Sequence, residues 1–85
     1  MLFRISTEDK NRQGIEREVS RFFPGFTVYT AAGFWQGTKE ASLIIEIDTD
    51  KSKEGLIVSV ARTIKRINQQ QAVLVQKFLN NSKFI

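Results

Sequence analysis

Neither cysteine nor histidine occurs in this 85-residue chain. Without cysteine there is no disulfide, no thiolate ligand and no thiol nucleophile. Without histidine the commonest metal ligand and the usual general base near neutral pH are missing. Catalysis would have to rest on carboxylates, Lys, Tyr or Ser, and no metal site or cofactor is expected. A single proline and five glycines exclude collagen-like and low-complexity classes. No apolar run approaches the ~20 residues of a membrane span. The start, MLFRIST, is too short for the apolar segment of a signal peptide, so a soluble, cytoplasmic protein is expected.

What is present is a globular composition, 41% hydrophobic with seven Phe and 26% charged. Its length makes residues 1–85 one domain, near the size at which a single core is only just adequate, so such a chain gains much by oligomerising. The net charge of +4 is unevenly placed: residues 1–50 hold six basic and eight acidic side chains, and residues 51–71 hold five basic and one acidic. The positive field therefore falls on the third quarter and on Lys77 and Lys83.

The alternation of Leu2 to Ser6 predicts a half-buried strand with Phe3 and Ile5 inward. Thr7 to Gln13 is polar, a loop or the first exposed turns of a helix capped by Ser6 or Thr7. Ile15, Val19, Phe22 and Phe23 then recur at helical spacing, and Pro24-Gly25 ends that helix. Two strand-like runs follow, Phe26 to Ala32 and Ala41 to Asp48, flanking a turn region with Gly33, Phe34, Trp35, Gln36 and Gly37. Thr49 to Ser52 is turn-like. Glu54 to about Gln70 is a second amphipathic helix with Leu56, Ile57, Val60, Ala61, Ile64 and Ile67 on one stripe and Asp50 or Ser52 as cap. Ala72 to Phe78 is the last strand, and Asn80-Asn81-Ser82 a turn.

The order β, α, β, β, α, β is that of the split β-α-β motif. It predicts an α+β, ferredoxin-like fold: a four-stranded antiparallel sheet in order 4-1-3-2 with both helices on one face. The expected core is Phe3, Ile5, Ile15, Val19, Phe22, Val28, Leu43, Ile45, Ile57, Val60 and Ile64. The segments FFPGFTV, AGFWQG, EASLIIEI and QQQAVLV together resemble a family of small bacterial and phage proteins of unknown function, with the pattern FPGFTV…GxW…ExS…QxxVL. The resemblance covers Phe22 to Val75. It implies a ferredoxin-like fold and, as the family has no settled activity, carries over no catalytic residue.

Several residues are candidates for function, each weighed against a plainer role. Trp35, beside Phe34, is either a stacking surface or a plug folded back onto the edge of the core; the plug is favoured, because so small a domain can hardly leave its largest side chain idle. Glu40, Ser42, Glu46 and Asp48 share one strand face and could serve a carboxylate-based enzyme. Arg4 on the neighbouring strand is the plainer answer, a salt-bridge partner. An anion site at the start of the first helix, near Lys10, Arg12 and Gly14, is opposed by Glu8 and Asp9. The central strands carry no aromatic residue on the open face, which argues against base stacking of the RNA-recognition type.

The leading expectation is a small non-enzymatic binding protein acting as a homo-oligomer. Its interface would use Leu2, Tyr29, Ile44 and Leu74, left uncovered on the sheet face without helices. A small anionic or nucleotide-like ligand would lie between protomers, near Arg4, Tyr29, Trp35, Glu40, Ser42 and Glu46. One alternative is nucleic-acid binding through Lys53, Arg62, Lys65, Arg66 and Lys77, against the plainer reading of a solvated helix face. The other is an enzyme using Tyr29, Glu40, Ser42 or Glu46.

Overall fold

The structure is a computed structural model and describes residues 1–81 and 83–85. Four strands and two α-helices follow one another as β1 (Leu2–Glu8), α1 (Arg12–Ser20), β2 (Thr27–Trp35), β3 (Thr38–Asp48), a 3-10 turn (Lys51–Lys53), α2 (Glu54–Ile67) and β4 (Leu74–Phe78). The strands form one antiparallel sheet in the order β2-β3-β1-β4, the order expected from the succession of elements. No helix among the described residues is long and apolar enough to cross a membrane.

Side-chain alternation explains how the sheet takes its helices. The register sets Phe3 opposite Ile47, Ile5 opposite Ile45 and Thr7 opposite Leu43, so all six side chains emerge on one face. Onto that face α1 lays Ile15 and Val19, and α2 lays Ile57, Val60, Ala61 and Ile64, forming a single cluster. Each of these large side chains is almost or wholly buried, and burying one fully stabilises by about 1.5–3 kcal/mol relative to leaving it exposed. Val28, opposite Ile45, is half-buried against the same cluster.

Element ends differ from the sequence reading in instructive ways. β1 continues past Ser6 to Glu8, because Thr7 is buried and its hydroxyl meets the side-chain oxygen of Gln70, beyond the end of α2. The helix that was expected to be capped by Ser6 or Thr7 begins at Arg12, after Asn11 in a left-handed conformation, and runs through Gly14. α1 stops at Ser20, but the Phe23 N–H still bonds to the Val19 carbonyl at 3.0 Å, so Phe23 continues the line of Ile15 and Val19 at four-residue spacing and is buried, while Phe22, expected in the core, is 40% exposed. α2 ends at Ile67, which lies half out of the core, and β4 begins at Leu74 rather than Ala72. Asp50 does cap, accepting a hydrogen bond from the Ser52 backbone N–H at 2.8 Å. Of the expected turn Asn80-Asn81-Ser82, Ser82 lies outside the described residues.

A polar knot closes one end of the molecule. Asn68, only 5% exposed, donates from Nδ2 to the Lys10 carbonyl at 3.3 Å and to Gln70 Oε1 at 3.4 Å, while Gln70 Nε2 donates to the Ala72 carbonyl. Buried polar groups must be paired in this way, so the knot fixes the exit of α2 against the entry of α1. Within the Gln69-Gln70-Gln71 run, legible only as a helix break, Gln70 is thereby a structural tie.

Candidate functional site

Opposite the helices lies a sheet face that no helix covers. It is built from Leu2, Arg4, Ser6 and Glu8 on β1, from Thr27, Tyr29, Ala31, Gly33 and Trp35 on β2, from alternate residues Thr38 to Asp48 on β3, and from Leu74, Gln76 and Phe78 on β4. Arg4 sits on the central strand with Glu46 as its cross-strand neighbour. Its Nε donates to Glu46 Oε2 at 2.8 Å, and Nη2 approaches the same oxygen at 2.8 Å. The guanidinium also lies over the ring of Phe78, 4.8 Å from its centroid. The hydrogen bond that Arg4 donates to Glu46 raises the Arg4 pKa above its ordinary value; partial burial opposes this, and the negative charge of Glu46 and contact with Tyr29 add to it. Arg4 is thus a permanent cation between two aromatic residues, and among the described residues its ties to Glu46 use Nε and Nη2 and not Nη1.

The remaining candidates fall into separate places. Tyr29 stands opposite Ile44 and is 40% exposed, so it belongs with Arg4 and Glu46 in the middle of the face. Ser42 and Glu40 lie further along β3, opposite Ala31 and Gly33. Glu40 and Glu46 are six residues apart on one strand, about 20 Å, so they cannot act as a catalytic pair. Ile44 differs from expectation: it is 9% exposed, because an inner-strand residue flanked by Ser6 and Tyr29 is shielded from both sides. The large apolar side chains left uncovered on this face are Tyr29, Leu74 at 56% exposure, Phe78 and, out on the hairpin, Trp35, with a half-buried Leu2.

The hairpin of β2 and β3 is longer than its glycines suggest. Pairing of β1 with β3 stops at Glu8 opposite Ser42, yet β2 and β3 stay paired out to Trp35 opposite Thr38. Beyond Ala32 the hairpin is therefore a two-stranded arm. Gln36 and Gly37 turn it with φ of 50° and 78°, the two left-handed residues of a tight hairpin turn. Gly33, which reads as part of a turn, is a strand residue under close approach: a Cβ there would sit 2.5 Å from the Ser42 hydroxyl oxygen. Trp35 does not fold back on the core. It projects from the arm at 59% exposure beside Phe34 at 72%. A shallow depression at the base of the arm is bounded by Asp9, Thr30, Ala32, Lys39 and Ala41.

A second charged surface is the outer side of α2. Lys53, Arg62, Lys65 and Arg66 are all exposed, and none makes an ion pair among the described residues. Acidic side chains are mostly engaged elsewhere: Glu8 with Lys10, Asp9 with Arg12, Glu18 with Arg21, Glu46 with Arg4. Lys77, grouped with these cations by sequence, is instead paired with Glu54 at 2.9 Å. Between α2 and β4 a groove runs past Val58, Ala61, Arg62, Lys65 and Val73.

No protein-family model and no curated protein matches this sequence. Solved structures do share its fold. A DUF3240 family protein from Shewanella baltica OS155 superimposes with a TM-score of 0.72 over 99% of this chain and 94% of that one, at 11% identity. CPII, a nitrogen regulatory PII-like protein from Thiomonas intermedia K12, bound to ADP, AMP and bicarbonate, superimposes with a TM-score of 0.68 over 98% of this chain and 93% of that one, at 13% identity. The de novo designed protein Foldit4 gives 0.53 at 21% identity, with 94% of each chain covered. At these identities the likeness is one of fold.

Proposed function

We propose that this chain is a small non-enzymatic binding protein that works as a homo-oligomer and holds a small anionic, nucleotide-like ligand on its helix-free sheet face, between protomers. The observation that carries this reading is Arg4. It is a permanent cation, held by one carboxylate oxygen and flanked by Phe78 and Tyr29, on a face without a second layer. A guanidinium with free donors suits a phosphate or carboxylate, and neighbouring rings suit a base. That a PII-like protein of the same fold is known with ADP, AMP and bicarbonate bound supports looking for a ligand of this class.

The test is calorimetric titration with ADP and with AMP, alongside native mass spectrometry of protein purified from its own host. The expected result is saturable binding of a nucleotide, lost by tenfold or more in Arg4→Gln and retained in Glu46→Gln, which frees the cation. Absence of binding to both nucleotides, with no ligand retained from the host, overturns the reading.

The unpaired cations on α2 favour a second reading, contact with an anionic polymer such as nucleic acid. Each phosphate neutralised would release counterions, so retention of a short DNA duplex should fall steeply between about 50 and 200 mM salt. Charge reversal at Arg62 and Arg66 together should abolish it without unfolding the protein, because both side chains are exposed.

A further inference from the structure

β2 is an edge of the sheet, paired with β3 on one side and with nothing on the other among the described residues. Edge strands ordinarily carry protection against pairing with other chains: lysines, prolines, bulges or shortness. β2 has none of these. Its nine residues, TVYTAAGFW, include no charge and no proline, and seven of the nine are exposed. The other edge, β4, is five residues long and carries Lys77.

We infer that β2 is an assembly edge, which pairs antiparallel with β2 of a second copy about a two-fold axis at Ala31 to give a continuous eight-stranded sheet. This rests on the homo-oligomer reading above and names its interface. The register follows from the strand itself, since only pairing centred on Ala31 uses all nine residues. On the helix-free face it sets Tyr29 opposite Gly33 and Trp35 opposite Thr27. On the other face it sets Phe34 opposite Val28 and Thr30 opposite Ala32. Every aromatic residue of one strand thus meets a small or β-branched residue of the other, the cross-strand combinations that stabilise sheets, with an aromatic ring closing over a strand glycine. No like charges meet across the axis.

The same geometry gives a use to the exposed Phe34 and Trp35, at 72% and 59% exposure in the single chain. It also joins the two helix-free faces into one surface, with Tyr29 of each copy beside Gly33 of the other. A two-fold contact is isologous, so one interface of this kind closes the assembly at a dimer.

The test uses the full chain and two charge variants at the axis, Ala31→Lys and Ala31→Glu. Ala31 is exposed, so both should fold, as circular dichroism will check. Light scattering at micromolar concentration should find the parent dimeric and each variant monomeric, because two like charges would face one another on the axis. An equimolar mixture of the variants should regain the dimer, as opposite charges then meet; no other register makes position 31 its own partner. Emission from Trp35, the chain's one tryptophan, should shift to the blue as the parent associates and should not shift in either variant alone. A parent oligomer whose size is unchanged by Ala31→Lys overturns the β2 edge and leaves the homo-oligomer reading standing. A monomeric parent overturns both.

Discussion

At the scale of single residues, Gly33 and Asp50 have definable jobs. The Ser42 hydroxyl occupies the space beside Gly33, and a Cβ there would come within 2.5 Å of it, whereas the Ser42 Cβ lies at an ordinary 3.7 Å. Gly33→Ala should therefore drive the Ser42 hydroxyl into another rotamer, and the two changes Gly33→Ala and Ser42→Ala should couple by ~0.5 kcal/mol or more in a double-mutant cycle read from urea midpoints. The sequence could not assign this role, because a glycine near a tryptophan and a second glycine reads as turn chemistry. Only the pairing of β2 with β3 reveals it as a contact. For Asp50, the hydrogen bond from the Ser52 N–H lowers the carboxyl pKa. A depressed acid stabilises the folded state above its unfolded pKa, and the contribution disappears as pH falls through the folded value. The parent should thus melt above Asp50→Ala at pH 7, and the gap between the two melting temperatures should narrow as pH falls below the ordinary aspartate range.

Elements were legible where periodicity was long and failed where it was short. Leu43, Ile45 and Ile47 alternate over enough of β3 to fix its inward face, and Ile57, Val60, Ala61 and Ile64 do the same for α2. Phe22 and Phe23 are the contrary case. Both lie near the apolar stripe of the helix, yet only Phe23 stands four residues beyond Val19, whose carbonyl accepts its N–H, and so turns inward. Phe23→Ala should cost ~3–5 kcal/mol in chemical denaturation, the price of an aromatic cavity, while Phe22→Ala at 40% exposure should cost well under half as much. Equal losses would place both rings in the core. The candidate site was similarly half visible. Arg4 and Glu46 could be matched across neighbouring strands from alternation alone, but the ring of Phe78 comes from β4, and nothing local to Arg4 announces it. Nor does any local pattern tell that Thr7 is buried against Gln70, since that tie joins residues far apart in the chain.

For the molecule as a whole, the order of elements was enough to reach the sheet order, because right-handed crossovers and antiparallel neighbours leave few arrangements of two helices and four strands. What it could not reach was how far the hairpin extends past β1, since that depends on where β1 stops. The core of the described residues is one cluster. Ile45→Ala, in its middle and paired with both Ile5 and Val28, should cost ~2–5 kcal/mol against a total stability of order 5–15 kcal/mol, and so lower the melting temperature steeply. The place of β1 has one more result. The strand that comes first along the chain lies inside the sheet, between β3 and β4. During translation at about 5–20 residues per second, it emerges seconds before either neighbour exists and presents two bare edges meanwhile. β3 can dress one of them partway through synthesis. The other stays open until Leu74–Phe78 has cleared the ribosome, so the sheet is completed only after its last strand is made, and the nascent protein passes through a stage in which its future centre is still an edge.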